Sequence, residues 1–275
     1  ILQRVSLERK IGEALYRRGE MRPALEYLHR CLDLLGKPMK TKRWSVRFAI
    51  AGAIVRHILR GMLHWVYERP APVTVKPEVE EEDRIYEPLA WIYGYLDHEK
   101  FMYTVLRRLN ASERGQYSYG IATVFTGMGF ICDFLSFPAI ARRYHSRSVS
   151  ESEKLKNPEA LGLACFGMAY YEQLHGNWAV AIEHGQRGAD AYRLAGDLRG
   201  WAECVTYGII FPLISRGEIE KSGPYCDELM RLGNEGDDPT ILARGLHVQG
   251  LIQTRMGNYE AVSYTHLTLP TNREV

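Results

Sequence analysis

The sequence contains none of the short motifs that mark common catalytic or cofactor sites. It has no GxxxxGK(S/T) loop to hold a triphosphate, and its nine histidines form no HExxH or other metal-ligand spacing. Gly127-Met-Gly129 lacks the third glycine of a dinucleotide-binding loop, and no strand pattern precedes it. We therefore expect a chain with no enzyme activity, no metal and no cofactor.

Cysteine is scarce and follows no ligand or disulfide pattern. The number is odd and no CxxC pair occurs, so we expect buried, reduced thiols. The five cysteines are Cys31, Cys132, Cys165, Cys204 and Cys226.

A net charge of +2 gives no reason to expect a nucleic-acid partner. The sequence begins without Met and without a charged-then-apolar leader, which predicts a cytoplasmic fragment of a longer protein.

The segment Trp44 to Glu68 is the most apolar part of the chain, but arginines interrupt it. Each arginine near a bilayer centre costs about 2.5 to 3.5 kcal/mol, which argues against a transmembrane span. The polar side of its helical wheel carries Arg56, His57, Arg60 and His64. We expect an amphipathic helix packed on the rest of the protein. Contact of Trp44 to Trp65 with a membrane surface or a partner is the alternative.

The sequence does contain a helical repeat. Leu163, Phe166, Gly167 and Tyr170 are spaced to share one helix face, a glycine turn follows, and a second helix places Trp178, Ala181 and Ile182 inward. Three landmarks recur at intervals of about 40 residues, which predicts an array of helical hairpins. They are the helix glycines Gly167, Gly208 and Gly250, the turn glycines Gly176, Gly217 and Gly257, and the small residues Ala141, Ala181 and Ser222.

This pattern divides the chain into four parts: a first hairpin (1–38), an amphipathic helix with a Pro/Glu-rich linker (39–84), a repeat array (85–262) and a tail (263–275). In the array we predict helices over 85–96, 99–114, 117–135, 138–155, 158–174, 178–195, 199–215, 218–233 and 239–256. Pro212 is expected to kink its helix or end it early. The acidic run 78–83 is expected to be a solvated helix cap. The tail resembles a translated sequencing adaptor and is expected to be foreign.

The landmarks resemble a known repeat family. Leu163-x-x-Phe166-Gly167-x-x-Tyr170, followed by Ala181, is similar to the tetratricopeptide pattern W-x2-L-G-x2-Y…A. The long period resembles the repeats of large bacterial signalling ATPases, in which an AAA-type ATPase shares a chain with cyclase, kinase or transcription-factor modules. The resemblance implies an all-α, tetratricopeptide-like hairpin solenoid that winds as a right-handed superhelix.

In such arrays the first helix of each hairpin lines the concave face and holds a peptide. The resemblance therefore implies contact residues at Met168, Tyr171, Glu172, Ile209, Arg244 and His247. Tyr171 is expected to be exposed, while its neighbour Tyr170 packs inside. The expected function is a non-catalytic protein-interaction or regulatory scaffold that binds a peptide segment or other domains of its parent chain. The alternative is the sensor arm of an ATP-hydrolysing signalling enzyme.

Overall fold

The computed structural model describes residues 1–40, 42–62 and 75–259, and every regular element among them is helical. The prediction of an all-α chain is therefore confirmed for this part of the sequence. The expectations for the foreign tail, and for most of the linker that leads to Pro77, concern residues outside the described ranges.

The chain divides into two compact units, and the division falls within one helix, between Glu151 and Ser152. The helices of unit 1 are α1 (Leu2–Arg17), α2 (Met21–Leu34), α3 (Arg43–Met62), α4 (Pro77–Leu96), α5 (His98–Gly115), α6 (Ser118–Phe134) and α7 (Pro138–Leu155), whose last turn belongs to unit 2. Those of unit 2 are α8 (Pro158–Leu174), α9 (Trp178–Ala195), α10 (Leu198–Glu203), a π-helical segment (Cys204–Ile210), α11 (Phe211–Ser215), a 3-10 turn (Ile219–Ser222), α12 (Gly223–Glu235) and α13 (Pro239–Arg255).

Successive helices pair as hairpins, as the repeat landmarks predict: α1 packs on α2, α4 on α5, and α8 on α9. Gly176 and Gly217 end the first helix of their hairpins with φ angles of 77° and 76°, a left-handed conformation that favours glycine. The small residue near the start of the second helix is buried in each predicted case. Ala141, Ala181 and Ser222 have no measurable exposure.

The acidic run is a solvated cap only in its first half. Helix α4 begins at Pro77, eight residues earlier than predicted, so Glu78 and Glu80 lie in its first turn, and the second half of the run reaches the interior. Glu82 and Asp83 are both buried. Glu82 pairs with Lys37, just after α2, while Glu81 accepts a 2.9 Å bond from Arg9 of α1. The run therefore fastens the first hairpin to α4.

Asp83 is the centre of the most buried ionic network of unit 1. The Arg108 guanidinium of α5 donates to both Asp83 oxygens at 2.9 Å, and to Glu87 at 3.0 Å. The Ser112 hydroxyl donates to Asp83 at 2.9 Å. Burial acts against the charged guanidinium, but the two carboxylates outweigh it and raise the pKa of Arg108.

Of the two outcomes expected for Pro212, a kink or an early end of its helix, the early end is wrong. The helix widens instead into the π-helical turn Cys204–Ile210, and the Phe211 N–H donates to the Thr206 carbonyl five residues back. A proline ring would clash with the carbonyl four residues before it in a regular α-helix. The wider π turn accommodates the proline, and the helix runs on to Ser215.

All five cysteines are free and buried, so the prediction of reduced core thiols is confirmed. Burial raises the pKa of Cys31 to about 12 and the pKa of Cys132, Cys165 and Cys226 to about 11 each. Burial also raises the pKa of Cys204 well above its ordinary value.

These thiols should be almost inert toward a thiolate-specific reagent while the protein is folded. A thiol with an ordinary pKa is about a quarter ionised at pH 8, whereas one with a pKa near 11 is about 0.1% ionised. We expect Ellman's reagent at pH 8 to react at least about 100-fold more slowly with the native protein than with the protein in guanidinium chloride. Fast reaction of any one thiol in the native state would contradict the buried environment described here.

Candidate interaction surface

Four of the six predicted contact residues do not lie on an exposed wall. Met168, Tyr171, Glu172 and Ile209 are between 1% and 6% exposed, so the expectation that they are accessible is wrong. The Tyr171 ring stacks on His175 with 4.2 Å between centroids, and Glu172 accepts a 2.6 Å bond from the Asn177 amide. Both residues hold the turn between α8 and α9.

A row of aromatic rings reaches the surface of unit 2. Its members are Tyr170, Tyr207, Phe211 and His247, here called the aromatic ladder. Consecutive ring centroids are 5.8, 5.2 and 6.2 Å apart. The first three rings are partly exposed and His247 is exposed. The ladder crosses three helices of unit 2 that alternate along the chain with α9 and α12: α8, the helix from Leu198 to Ser215, and α13.

Tyr170 is expected from the sequence to pack inside, and its partial exposure corrects that expectation. Tyr207 is partly exposed as well. A buried ring supports them from below. Phe166 is 5% exposed, and its centroid lies 6.2 Å from Tyr170 and 6.3 Å from Tyr207. Edge-on and tilted ring pairs at such distances each contribute about 0.5 to 1.5 kcal/mol beyond their buried area.

A partly buried ion pair adjoins the ladder. Arg244 of α13 pairs with Glu203 of α10, and its guanidinium lies 5.6 Å from the centroid of the Tyr207 ring. Burial raises the pKa of Glu203, although the Arg244 charge opposes the shift. The ladder therefore combines apolar ring faces with one cation that is already held in place.

The backbone around Tyr207 is fixed by a close helix contact. Tyr207 occupies the middle of the π turn, and its neighbour Gly208 lies directly against Gly185 of α9. A Cβ placed on Gly208 would lie 2.7 Å from the Gly185 Cα atom. A second contact joins α10 to the start of α13. Arg199 of α10 donates to both oxygens of Asp238, at 2.7 and 3.0 Å.

Asp238 also sets the start of α13, because its carboxylate accepts bonds from the Thr240 and Ile241 backbone N–H groups. Burial acts to raise the pKa of Asp238, but the Arg199 guanidinium and these two donors outweigh it and hold the pKa below its ordinary value. The last helix that carries ladder residues is therefore positioned by a charged cap.

Of the six predicted contact residues, Arg244 is partly exposed and His247 is exposed, and both lie at the ladder. Its other three rings, Tyr170, Tyr207 and Phe211, were not predicted as contacts. One signal in the sequence could have revealed part of this set. An aromatic residue follows the landmark glycines Gly167 and Gly208 by three positions, as Tyr170 and Phe211, whereas Gln253 follows Gly250. Phe130 follows Gly127, 40 residues before Gly167, at the same spacing. All three aromatic residues are partly exposed.

Among the described residues, no group of three or more His, Cys, Asp or Glu side chains is arranged to hold a metal ion. Within the same part of the chain, every helix is too short or too polar to cross a membrane.

No family model matches the sequence, and no curated protein matches it either. The aromatic ladder is therefore judged on its own geometry.

Proposed function

We propose that this chain is a non-catalytic, tetratricopeptide-like solenoid that binds a protein or peptide segment on the aromatic ladder of unit 2. The observation that carries the proposal is the run of four rings, three partly exposed and one exposed, across α8, the helix from Leu198 to Ser215, and α13. Aromatic and arginine side chains dominate the binding energy of many protein interfaces. The rings offer apolar faces, and Arg244 supplies a fixed charge beside them.

The chemistry of the ladder favours an extended or helical peptide with apolar or aromatic side chains. Because the rings are held by Phe166 and by one another, little conformational entropy is lost when a ligand binds. In this proposal the partner is a cytoplasmic protein or another domain of a parent signalling ATPase. In the latter case the chain acts as the sensor arm of an ATP-hydrolysing cyclase or kinase.

The proposal is tested by selecting a phage-displayed random peptide library on the immobilised protein and measuring the affinity of the enriched peptides. Replacing Tyr207 with leucine and His247 with alanine removes two rings but keeps most of the apolar volume at the partly buried position. We expect the double variant to bind the selected peptides at least about tenfold more weakly, since interface anchors contribute more than 1 kcal/mol each.

The matched control is Tyr225→Leu, which removes a comparably buried tyrosine from the second helix α12. This variant should keep the full affinity for the selected peptides. The proposal fails if the library yields no enriched peptide, or if the ladder variant and the Tyr225 variant bind the peptides equally well. Melting temperatures of all three proteins show whether a loss of binding reflects a loss of folding.

A further inference from the structure

Helix α3 of unit 1 packs against other helices on one side and is exposed to solvent on the other. Its inner side places Val46 and Ala53 in the interior. Near its start, the Arg47 guanidinium donates to Glu99 of α5 at 2.7 Å. Further along, the His57 ring lies 3.1 Å from a Glu113 carboxylate oxygen and 2.8 Å from the Tyr144 hydroxyl. These contacts tie α3 to α5 and α7 near both of its ends.

The outer side of α3 is an exposed apolar stripe. Its members recur at helical spacing and lie roughly opposite Val46 and Ala53 on the helix. They are Trp44, Phe48, Val55, Ile58 and Leu59, and each is at least half exposed. Trp44 and Phe48, at the start of the helix, are 73% and 74% exposed. Such a row is unusual for apolar side chains, which scatter singly over most protein surfaces.

The segment that carries the stripe has basic residues but no acidic ones, and of its cations Lys37 and Arg47 pair with carboxylates of other helices. Residues 34–67 contain no Asp or Glu but seven basic residues: Lys37, Lys40, Lys42, Arg43, Arg47, Arg56 and Arg60. Two arginines flank the stripe, with Arg47 about 80° to one side of its centre and Arg56 about 100° to the other. Long basic side chains at that position can reach past a buried apolar face toward polar headgroups.

We propose that α3 docks the protein on an anionic lipid bilayer, with the apolar stripe entering the headgroup boundary and the flanking arginines contacting phosphates. An apolar face bordered by Lys and Arg, with an aromatic residue near its end, fits a helix that lies in the plane of the interface. Attraction between the basic residues and anionic lipids adds to the insertion of the apolar side chains. This proposal is independent of peptide binding on the aromatic ladder.

The charge of the segment argues against a second copy of the chain as the occupant. Pairing two α3 helices through their stripes would bring Arg43 and Arg56 of both copies together, and α3 itself carries no acidic residue to compensate them. Arg47 is already paired with Glu99. An acidic protein surface would satisfy the same charges. The lipid surface is favoured because the exposed tryptophan and the arginines on both sides of the stripe match an interfacial helix.

The test is flotation of the full chain with vesicles of phosphatidylcholine and phosphatidylserine, compared with vesicles of phosphatidylcholine alone. We expect binding to the anionic vesicles and at least about tenfold weaker binding to the neutral ones. The variant Val55→Gln/Leu59→Gln should bind anionic vesicles at least about tenfold more weakly, because it removes two apolar side chains from the stripe. Arg43→Gln/Arg56→Gln should also bind more weakly and lose much of the salt dependence.

The matched control is Leu7→Gln/Leu194→Gln, which removes two exposed leucines from α1 and α9, outside the stripe. This variant should float like the parent protein. The proposal is overturned if the parent binds neither kind of vesicle, an outcome that favours an acidic protein surface. It is equally overturned if the control loses as much binding as the stripe variant, because binding would then reflect general apolar exposure.

Discussion

Replacing Arg108 with methionine should lower the free energy of unfolding of unit 1 by about 3 to 5 kcal/mol, the usual cost of removing one partner of a buried ion pair. The variant would leave the Asp83 carboxylate, which has no exposed surface, without its only bidentate donor. Glu87 and the Thr123 hydroxyl would each lose a hydrogen bond as well. Urea unfolding followed by circular dichroism measures the change.

The exposed pair Arg84–Glu80 on α4 provides the matched control, since both of its side chains are 40% exposed or more. Arg84→Met should change the free energy of unfolding by less than about 0.5 kcal/mol, because an exposed i,i+4 pair contributes little. The double variant Asp83→Leu/Arg108→Met should be less destabilised than the sum of its single variants by at least about 1 kcal/mol. Equal losses for Arg108→Met and Arg84→Met would show that the buried network is dispensable.

The hairpins could be predicted from the sequence because the signals that define them are local. Gly176 and Gly217 each lie just past the end of a helix and adopt the left-handed conformation there. Ala181 is buried near the start of a helix that packs on the helix just before it. The effect of a proline on its helix is less determined by local sequence. Pro212 has two local solutions, a break or a wider turn, and the sequence gives no means of choosing between them.

The acidic run shows where local signals fail. Glu82 and Asp83 are buried and Glu81 is half-buried because cations arrive from the turn after α2, from α5 and from α1, which lie 45, 25 and 72 residues away in sequence. A run of carboxylates read alone resembles a solvated cap. Only the fold shows that each of these acidic side chains meets its own partner.

The candidate site was misplaced by a single residue of helical register. Tyr170 and Tyr171 are adjacent, so their side chains point about 100° apart around α8. Helix α8 is apolar on nearly all sides, as expected for a helix covered by neighbours on several faces, and a helical wheel cannot then identify one inward face. The helix contacts both α9 and the π turn, and these contacts bury Tyr171 while Tyr170 reaches the ladder.

Replacing Gly208 with alanine should destabilise unit 2 by about 2 to 3 kcal/mol, the upper part of the range for overpacking. Alanine normally stabilises a helix relative to glycine by about 0.5 to 1 kcal/mol, so the expected sign is opposite to the usual one. The added Cβ would lie 2.7 Å from the Gly185 Cα atom and 3.0 Å from the Ala169 Cβ atom. The closer of these two atoms belongs to the backbone of α9, which cannot move aside as a flexible side chain can.

Gly250 is the same landmark one repeat later and provides the control for Gly208. It lies within α13, and no described atom comes within 4 Å of the Cβ that alanine would add. Gly250→Ala should therefore raise the free energy of unfolding by about 0.5 to 1 kcal/mol, as the helix propensities of glycine and alanine predict. Opposite signs in thermal or urea unfolding would show that the close approach to Gly185, rather than the repeat position, requires glycine at 208. If both substitutions stabilise the protein, α9 and the π turn can move apart at no cost in free energy. The close helix contact described here as positioning Tyr207 would then not exist.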